Sequence, residues 1–176
     1  VAPVKGTAVI SDDGLYRYLL TRDWTPAEHG GQPATVTFLM LNPSTADADV
    51  DDATIRRCRS FATQTGHTRL QVVNLYAFRA TKPADLWRAE DPVGTDNPEQ
   101  LRKIAAQGGL VVAGWGAQNP PATVRSSHEV WVRHVREFFG DDLWCLGANT
   151  DGSPKHPLYL PNGLTLMRWP ISGGST

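Results

Sequence analysis

The chain has 176 residues, 40% hydrophobic and 20% charged, with a formal net charge of −1 at pH 7. That length suits one domain, residues 1–176, with enough surface to bury a core without disulfide or metal staples. The near-neutral balance argues against a strongly basic coat for nucleic acid and leaves room for a local basic face. No apolar run reaches the roughly 18 residues that a membrane span needs, and Val1-Ala2-Pro3-Val4 has no apolar signal-peptide stretch. The expectation is a cytoplasmic monomer without a membrane partner. Cys58 and Cys145 lie in apolar-patterned segments without Cys-x-x-Cys spacing and read as buried free thiols.

In chain order, Thr7-Ala8-Val9-Ile10 and Leu15-Tyr16-Arg17-Tyr18-Leu19-Leu20 predict a hairpin around Asp12-Asp13-Gly14. Residues 27–35, punctuated by Gly and Pro, read as a loop. Short β-branched apolar runs at 35–41, 70–75 and 109–115, and a fourth at 142–147, predict strands. Helical spacing falls between them. Residues 52–62 put Ile55, Cys58, Phe61 and Ala62 on one face, with Asp51 or Asp52 as cap. Residues 98–106 turn Leu101, Ile104 and Ala105 inward, and 126–139 carry Val130, Trp131, Val135, Phe138 and Phe139. Residues 172–176 read as a frayed tail. The strands are continuously rather than alternately apolar, so both of their faces are covered. The pattern predicts a three-layer α/β/α sandwich with a central, mostly parallel four-stranded sheet plus an N-terminal hairpin.

Sites in open α/β sheets form at the carboxyl ends of strands. The first predicted strand leads into Asn42-Pro43-Ser44-Thr45-Ala46-Asp47, and the second ends in Asn74, ahead of Tyr76, Phe78, Arg79 and Thr81. Gly114-Trp115-Gly116-Ala117-Gln118 follows the third, and the fourth runs into Asn149 through Pro157. Asn42 offers an amide donor and acceptor ahead of Pro43; the plain alternative is an Asx turn ending a strand. Asp47, Asp49, Asp51 and Asp52 could hold Mg²⁺ or a base, or serve as a solvated loop and helix cap; the run lacks the Gly and terminal Glu of a calcium loop. His156 sits between Lys155 and Pro157 in a proline-stiffened loop, where an imidazole can act as acid, anion stabiliser or ligand, or be an ordinary surface histidine. The other histidines show no ligand spacing, so no metal is expected. Walker A, Gly-x-Gly-x-x-Gly and Gly-x-Ser-x-Gly motifs are absent, which removes the usual support for kinase, dinucleotide-dependent and serine-hydrolase readings. No cofactor is expected.

In order, the four strand ends resemble the uracil-DNA glycosylase superfamily. Met40-Leu41-Asn42-Pro43-Ser44 is similar to its first motif in the Asn-Pro variant, and Val72-Val73-Asn74-Leu75, running on to Arg79, to its base-reading strand. Ala113-Gly114-Trp115-Gly116 is similar to its Leu-Trp-Gly strand, and His156-Pro157-Leu158-Tyr159-Leu160 to its His-Pro motif. The chain also looks closely like a bacterial and phage family of unknown function, number 1643. The marks of that likeness are Leu41 to Asp47, Asp52 to Cys58, Asn74-Leu75-Tyr76-Ala77, Asp91-Pro92-Val93-Gly94 and the His156 motif.

The glycosylase resemblance implies a DNA partner and a monofunctional enzyme that flips out a base and cleaves its N-glycosidic bond, leaving an abasic site. His156 would donate a hydrogen bond to the leaving base from a neutral imidazole, Asn42 would position water, and Asp47 or a neighbouring Asp would assist. Asn74 would read the base edge, with Tyr76 or Phe78 stacking on it and Met40 and Leu158 lining the pocket. Tyr159 or Leu160 would wedge into the vacated stack, and Ser44, Arg56, Arg57, Arg79, Lys82 and Lys155 would contact DNA. Met40 and Leu158 replace the superfamily's Gly and Ser, which implies an altered pocket and a damaged, mismatched or hypermodified base, such as one in modified phage DNA, with a role in phage defence. The alternatives are a non-catalytic nucleic-acid or nucleotide-binding module on the same fold, and a glycosidase or transferase acting on free nucleosides.

Overall fold

Strand β3 (Thr35–Met40) is the fourth of seven strands in one sheet, and all but its first residue are buried. Its side chains alternate between two cores. Val36, Phe38 and Met40 pack with Ile55, Cys58, Phe61 and Ala62 of α1 (Ala53–Gln64). Leu39 packs on the opposite face with Leu86 of α2 (Pro83–Arg88), Leu101 and Ile104 of α3 (Asn97–Gln107) and Val135 of α4 (Ala122–Phe139). A continuously apolar strand with period-two geometry thus feeds a core on each side.

The computed structural model describes residues 4–26, 32–44 and 46–169. Loop residues 27–31, Thr45 of the first motif and the tail at 172–176 lie outside the described residues. The sheet runs β1 (Lys5–Ile10), β2 (Arg17–Asp23), β4 (Arg69–Asn74), β3, β5 (Leu110–Ala113), β6 (Leu143–Cys145), β7 (Met167–Arg168). β3 is parallel to both β4 and β5, and β5 is parallel to β6. The β1–β2, β2–β4 and β6–β7 pairs are antiparallel. The architecture is therefore a mixed α/β fold on a single seven-stranded sheet, not a four-stranded sheet with a separate hairpin. The hairpin merges because β2 pairs with β4, setting Leu20 opposite Val72 and Arg22 opposite Leu70.

Asp52 is the cap of α1: its carboxylate accepts from the Ile55 N–H at 2.8 Å. α4 starts at Ala122, four residues before the expected 126, because Pro121 stands where a missing N–H costs nothing. Val130 is 58% exposed, so the apolar stripe of α4 is narrower than its composition suggests. α2 and β7 were not expected; six and two residues are too short to show a period. Cys58 and Cys145 are buried free thiols. Among the described residues no helix is long and apolar enough to cross a membrane.

One buried ion pair fixes the start of α1. Arg22 donates to Asp51 at 2.7 Å and to the Asp47 and Val50 carbonyls at 2.6 and 3.3 Å. The other Asp51 oxygen takes Arg59 at 2.7 Å. Replacing Arg22 by Met leaves one oxygen of a largely buried carboxylate and several carbonyls without their donor, with only Arg59 still on Asp51. The expected cost is about 3 kcal/mol, read as a fall of roughly 10 °C in the thermal midpoint.

Candidate functional site

β4, β3, β5 and β6 run in one direction, so their carboxyl ends and following loops meet at one rim. Met40 and Asn74 are register partners at the last step of the β3–β4 ladder. The loops are tied to each other. Ala80 N–H donates to the Pro43 carbonyl at 3.0 Å, and the Asn42 side-chain amide donates to the Ala80 carbonyl at 2.8 Å. Gly116 N–H donates to Pro154 at 3.0 Å, and Lys155 N–H to Gly147 at 2.8 Å. Gly116 has a φ of +76° and its missing Cβ would lie 3.3 Å from the Cβ of His156, so glycine is needed for both backbone and space.

The loops enclose a cleft of about 720 Å³. Of the expected site residues, it is lined by Asn42, His156, Asn74, Met40, Leu158, Ser44, Lys155, Tyr159 and Leu160. Trp115, Gly116, Ala117 and Gln118 of the third strand end line it too.

Asn74 is 1% exposed, and neither its Nδ2 nor its Oδ1 has a partner among the described residues. A buried primary amide normally satisfies both groups. Here a donor and an acceptor sit side by side on a cleft-lining residue. Asn42 differs: its Nδ2 donates to the Pro43 and Ala80 carbonyls, at 3.0 and 2.8 Å, and among the described residues Oδ1 is the half of the amide left for a ligand or water.

His156 is half-buried, and its Nδ1 accepts the Leu158 N–H at 3.3 Å. The neutral ring therefore carries its proton on Nε2. Burial holds its pKa below the usual histidine value, against a smaller pull from the Asp52 charge in the opposite direction. The loop carrying it is held from α1. Arg57 donates to the carbonyls of Pro157, Leu160 and Pro161 at 3.4, 2.6 and 2.5 Å, and also to the Asn162 side chain.

Seven expected site residues do not line the cleft, among them Arg57, the clamp just described, and Lys82, exposed ahead of α2. Asp47 does not line the cleft; its carboxylate closes its own turn on the Asp49 and Val50 N–H groups at 3.0 and 2.9 Å, which lowers its pKa. The carboxylate that does line the cleft is Asp52, which the sequence offers as the α1 cap and as one of four neighbouring acids that could hold a base or Mg²⁺. Tyr76 is buried in the opposite core, with its hydroxyl 2.8 Å from His128 Nδ1 and its ring stacked on that imidazole. Phe78 packs edge-on against Tyr16. Arg79 donates to the Gly14 carbonyl at 3.2 Å, and Arg56 to the Asp51 backbone carbonyl at 2.5 Å. Of the two wedge candidates, Tyr159 is 83% exposed, while Leu160 packs on the α1-side core. Arg17 is a cleft residue that strand patterning passes over. Its only signal is a cation flanked by Tyr16 and Tyr18 in the predicted strand segment Leu15 to Leu20.

A family model described as "Protein of unknown function (DUF1643)" matches residues 17–158. The chain belongs to this family. No curated protein and no solved structure matches it. The family's span begins at Arg17 and ends at Leu158, so it takes in the whole cleft except Tyr159 and Leu160.

Two expectations follow. The His156 imidazole should titrate below 6.5 with the Nε2–H tautomer, read from its ring ¹⁵N shifts. Because its folded-state pKa is depressed, the unfolded chain takes up more protons below pH 6.5, and stability falls as pH drops through that window. His156→Gln should flatten part of that dependence. Arg57→Ala should speed amide exchange in residues 158–162 selectively, while exchange in β3 and β4 stays slow.

Proposed function

We propose that this chain is a monofunctional DNA glycosylase of the uracil-DNA glycosylase type, acting on a base flipped into the cleft. The observation that carries the reading is Asn74: a buried amide, unpartnered at both donor and acceptor, lining the cleft. A base edge with adjacent acceptor and donor satisfies both groups at once. A pocket built to make those bonds rejects compounds that lack them.

The other cleft residues fit the same chemistry. Breaking the N-glycosidic bond sends its electron pair to the base and leaves positive charge on the sugar. His156, neutral and protonated on Nε2, donates a hydrogen bond to the departing base anion without itself having to ionise. Asn42 Oδ1 is placed to accept from the attacking water. Water adds to the sugar carbon, and its proton passes to the Asp52 carboxylate or to solvent. Asp52 takes the assisting part once given to Asp47. Exposed Tyr159, beside His156 with ring centroids 5.6 Å apart, fits the wedge into the vacated stack. Lys155 and Ser44 remain candidates for phosphate contact. Met40 and Leu158 line the cleft in place of the superfamily's Gly and Ser, which supports a base other than uracil, with a modified phage base as the candidate.

The test is incubation of purified protein with single- and double-stranded oligonucleotides. They would carry uracil, a mismatched thymine, or hydroxymethylated and glucosylated pyrimidines. Alkali-labile breaks are expected on at least one, falling by about 10²- to 10³-fold in His156→Ala and in Asn42→Ala. The rate should decline with acid only below pH 6.5, as the neutral imidazole is lost. Tight binding with no break on any substrate would replace catalysis by a binding module on the same fold.

A further inference from the structure

Arg17 is 2% exposed, yet it lines the cleft. One of its nitrogens donates to the Ala46 carbonyl at 2.6 Å; its Nε has no partner among the described residues. No carboxylate among the described residues forms an ion pair with it. The other strongly buried cation, Arg22, shows what this protein does when an arginine is structural. It takes Asp51 at 2.7 Å together with three backbone carbonyls. Arg17 has one carbonyl where Arg22 has a carboxylate and three. Burial pulls its pKa down to about 10, which still leaves it fully charged at neutral pH. The nearest anionic help is electrostatic and not bonded, from Asp52 and Asp47.

A guanidinium presents its donors in a planar fork that matches an oxyanion. Desolvated and short of acceptors, such a group leaves a large unmet demand. So little of Arg17 is exposed that a phosphodiester passing across the protein surface cannot reach it. The partner has to be part of the molecule that enters the cleft.

We infer that Arg17 is a specificity-determining residue that receives an oxyanion carried by the cleft's ligand, while Asn74 reads the neutral donor–acceptor edge. The inference rests on the glycosylase reading only for the nature of that ligand, a nucleobase. Two sources supply the chemistry: a carboxylate substituent on the base, or the 5′-phosphate of a free nucleotide.

The experiment compares binding of 5-carboxy-2′-deoxycytidine, 2′-deoxycytidine 5′-monophosphate and uncharged 2′-deoxycytidine by calorimetry. At least a tenfold gain is expected for one of the charged compounds, and which one gains identifies the source. Arg17→Gln should erase the gain and Arg17→Lys should keep part of it. A gain that survives Arg17→Gln, or equal affinities for all three compounds, overturns the inference. Should Arg17→Gln fail to fold, the wild-type Arg17 Nε–H resonance decides. It shifts on adding the charged compound if the inference holds, and stays in place if it does not. Base excision without an Arg17-dependent oxyanion preference sinks this inference alone. That preference without excision of any base sinks the glycosylase reading alone.

Discussion

The guanidinium of Arg57 holds the backbone of the segment that carries His156. Beyond one 3-10 turn, Pro157–Tyr159, that segment has no regular structure, so little of its own backbone bonding fixes it. Three of its carbonyls and one side chain are bound instead by one residue of α1. The dependence runs further back. α1 starts where it does because Asp52 caps it and because Asp51, one residue earlier, is locked between Arg22 and Arg59. A charge on β2 thus sets the helix, the helix sets Arg57, and Arg57 sets the imidazole. Ile55 of the same helix lines the cleft with Asp52, so α1 supplies floor, acid and clamp together.

Polar groups are treated in two ways. The three arginines that a sequence reader assigns to DNA are committed within the fold: Arg56 to the α1 entry, Arg57 to the His156 segment, Arg79 to the first hairpin turn. Three buried residues among those described are left short, and two of them, Asn74 and Arg17, line the cleft; the third, Asn97, lies off it and lacks a partner only at Oδ1, its Nδ2 donating to the Asn74 and Leu75 carbonyls. Asn74 has neither amide group satisfied, and Arg17 has one bond for its fork. Burying such groups without partners costs free energy that the rest of the structure must offset. Local rules tend to be broken where a function requires it. That the two residues with unpartnered donors, Asn74 and Arg17, line one cleft argues for a ligand edge there.

The strand ends were legible because they depend on local signals. Apolar runs of four to six residues stop at Asn, Gly or Pro, and parallel pairing then carries the stops to one rim. Asn42, Asn74, Trp115 and His156 were found this way. What failed depended on direction and on distant partners. Tyr76 lies two residues beyond Asn74, and no spacing tells that its ring turns to the opposite core to meet His128. Asp47 and Asp52 are equivalent as letters, but one folds back on its own turn while the other caps a helix whose first turn opens on the cleft. Arg17 enters the cleft because the hairpin joins the sheet beside β4, a pairing between segments about 50 residues apart. The hairpin motif alone does not reveal its neighbour.

The same segment makes the imidazole's protonation a structural event. Nδ1 of His156 accepts the Leu158 N–H, so a proton added there would set two donors against each other. The turn across residues 156–159, closed also by the Tyr159 N–H to the His156 carbonyl at 3.4 Å, is then weakened at its first residue. Asp52 pulls the other way, since its charge favours the imidazolium, but burial is the larger effect. The neutral ring and the closed turn therefore support each other. Arg57 strengthens that coupling by holding the carbonyls on the far side of the turn, so that the segment cannot simply rotate to accommodate a second N–H. The positive charge in the depth of the cleft comes instead from Arg17, whose protonation does not change over the same range. On the proposed reading, fixed charge and hydrogen-bond donation to the leaving base fall to different residues, and only the donor is sensitive to acid.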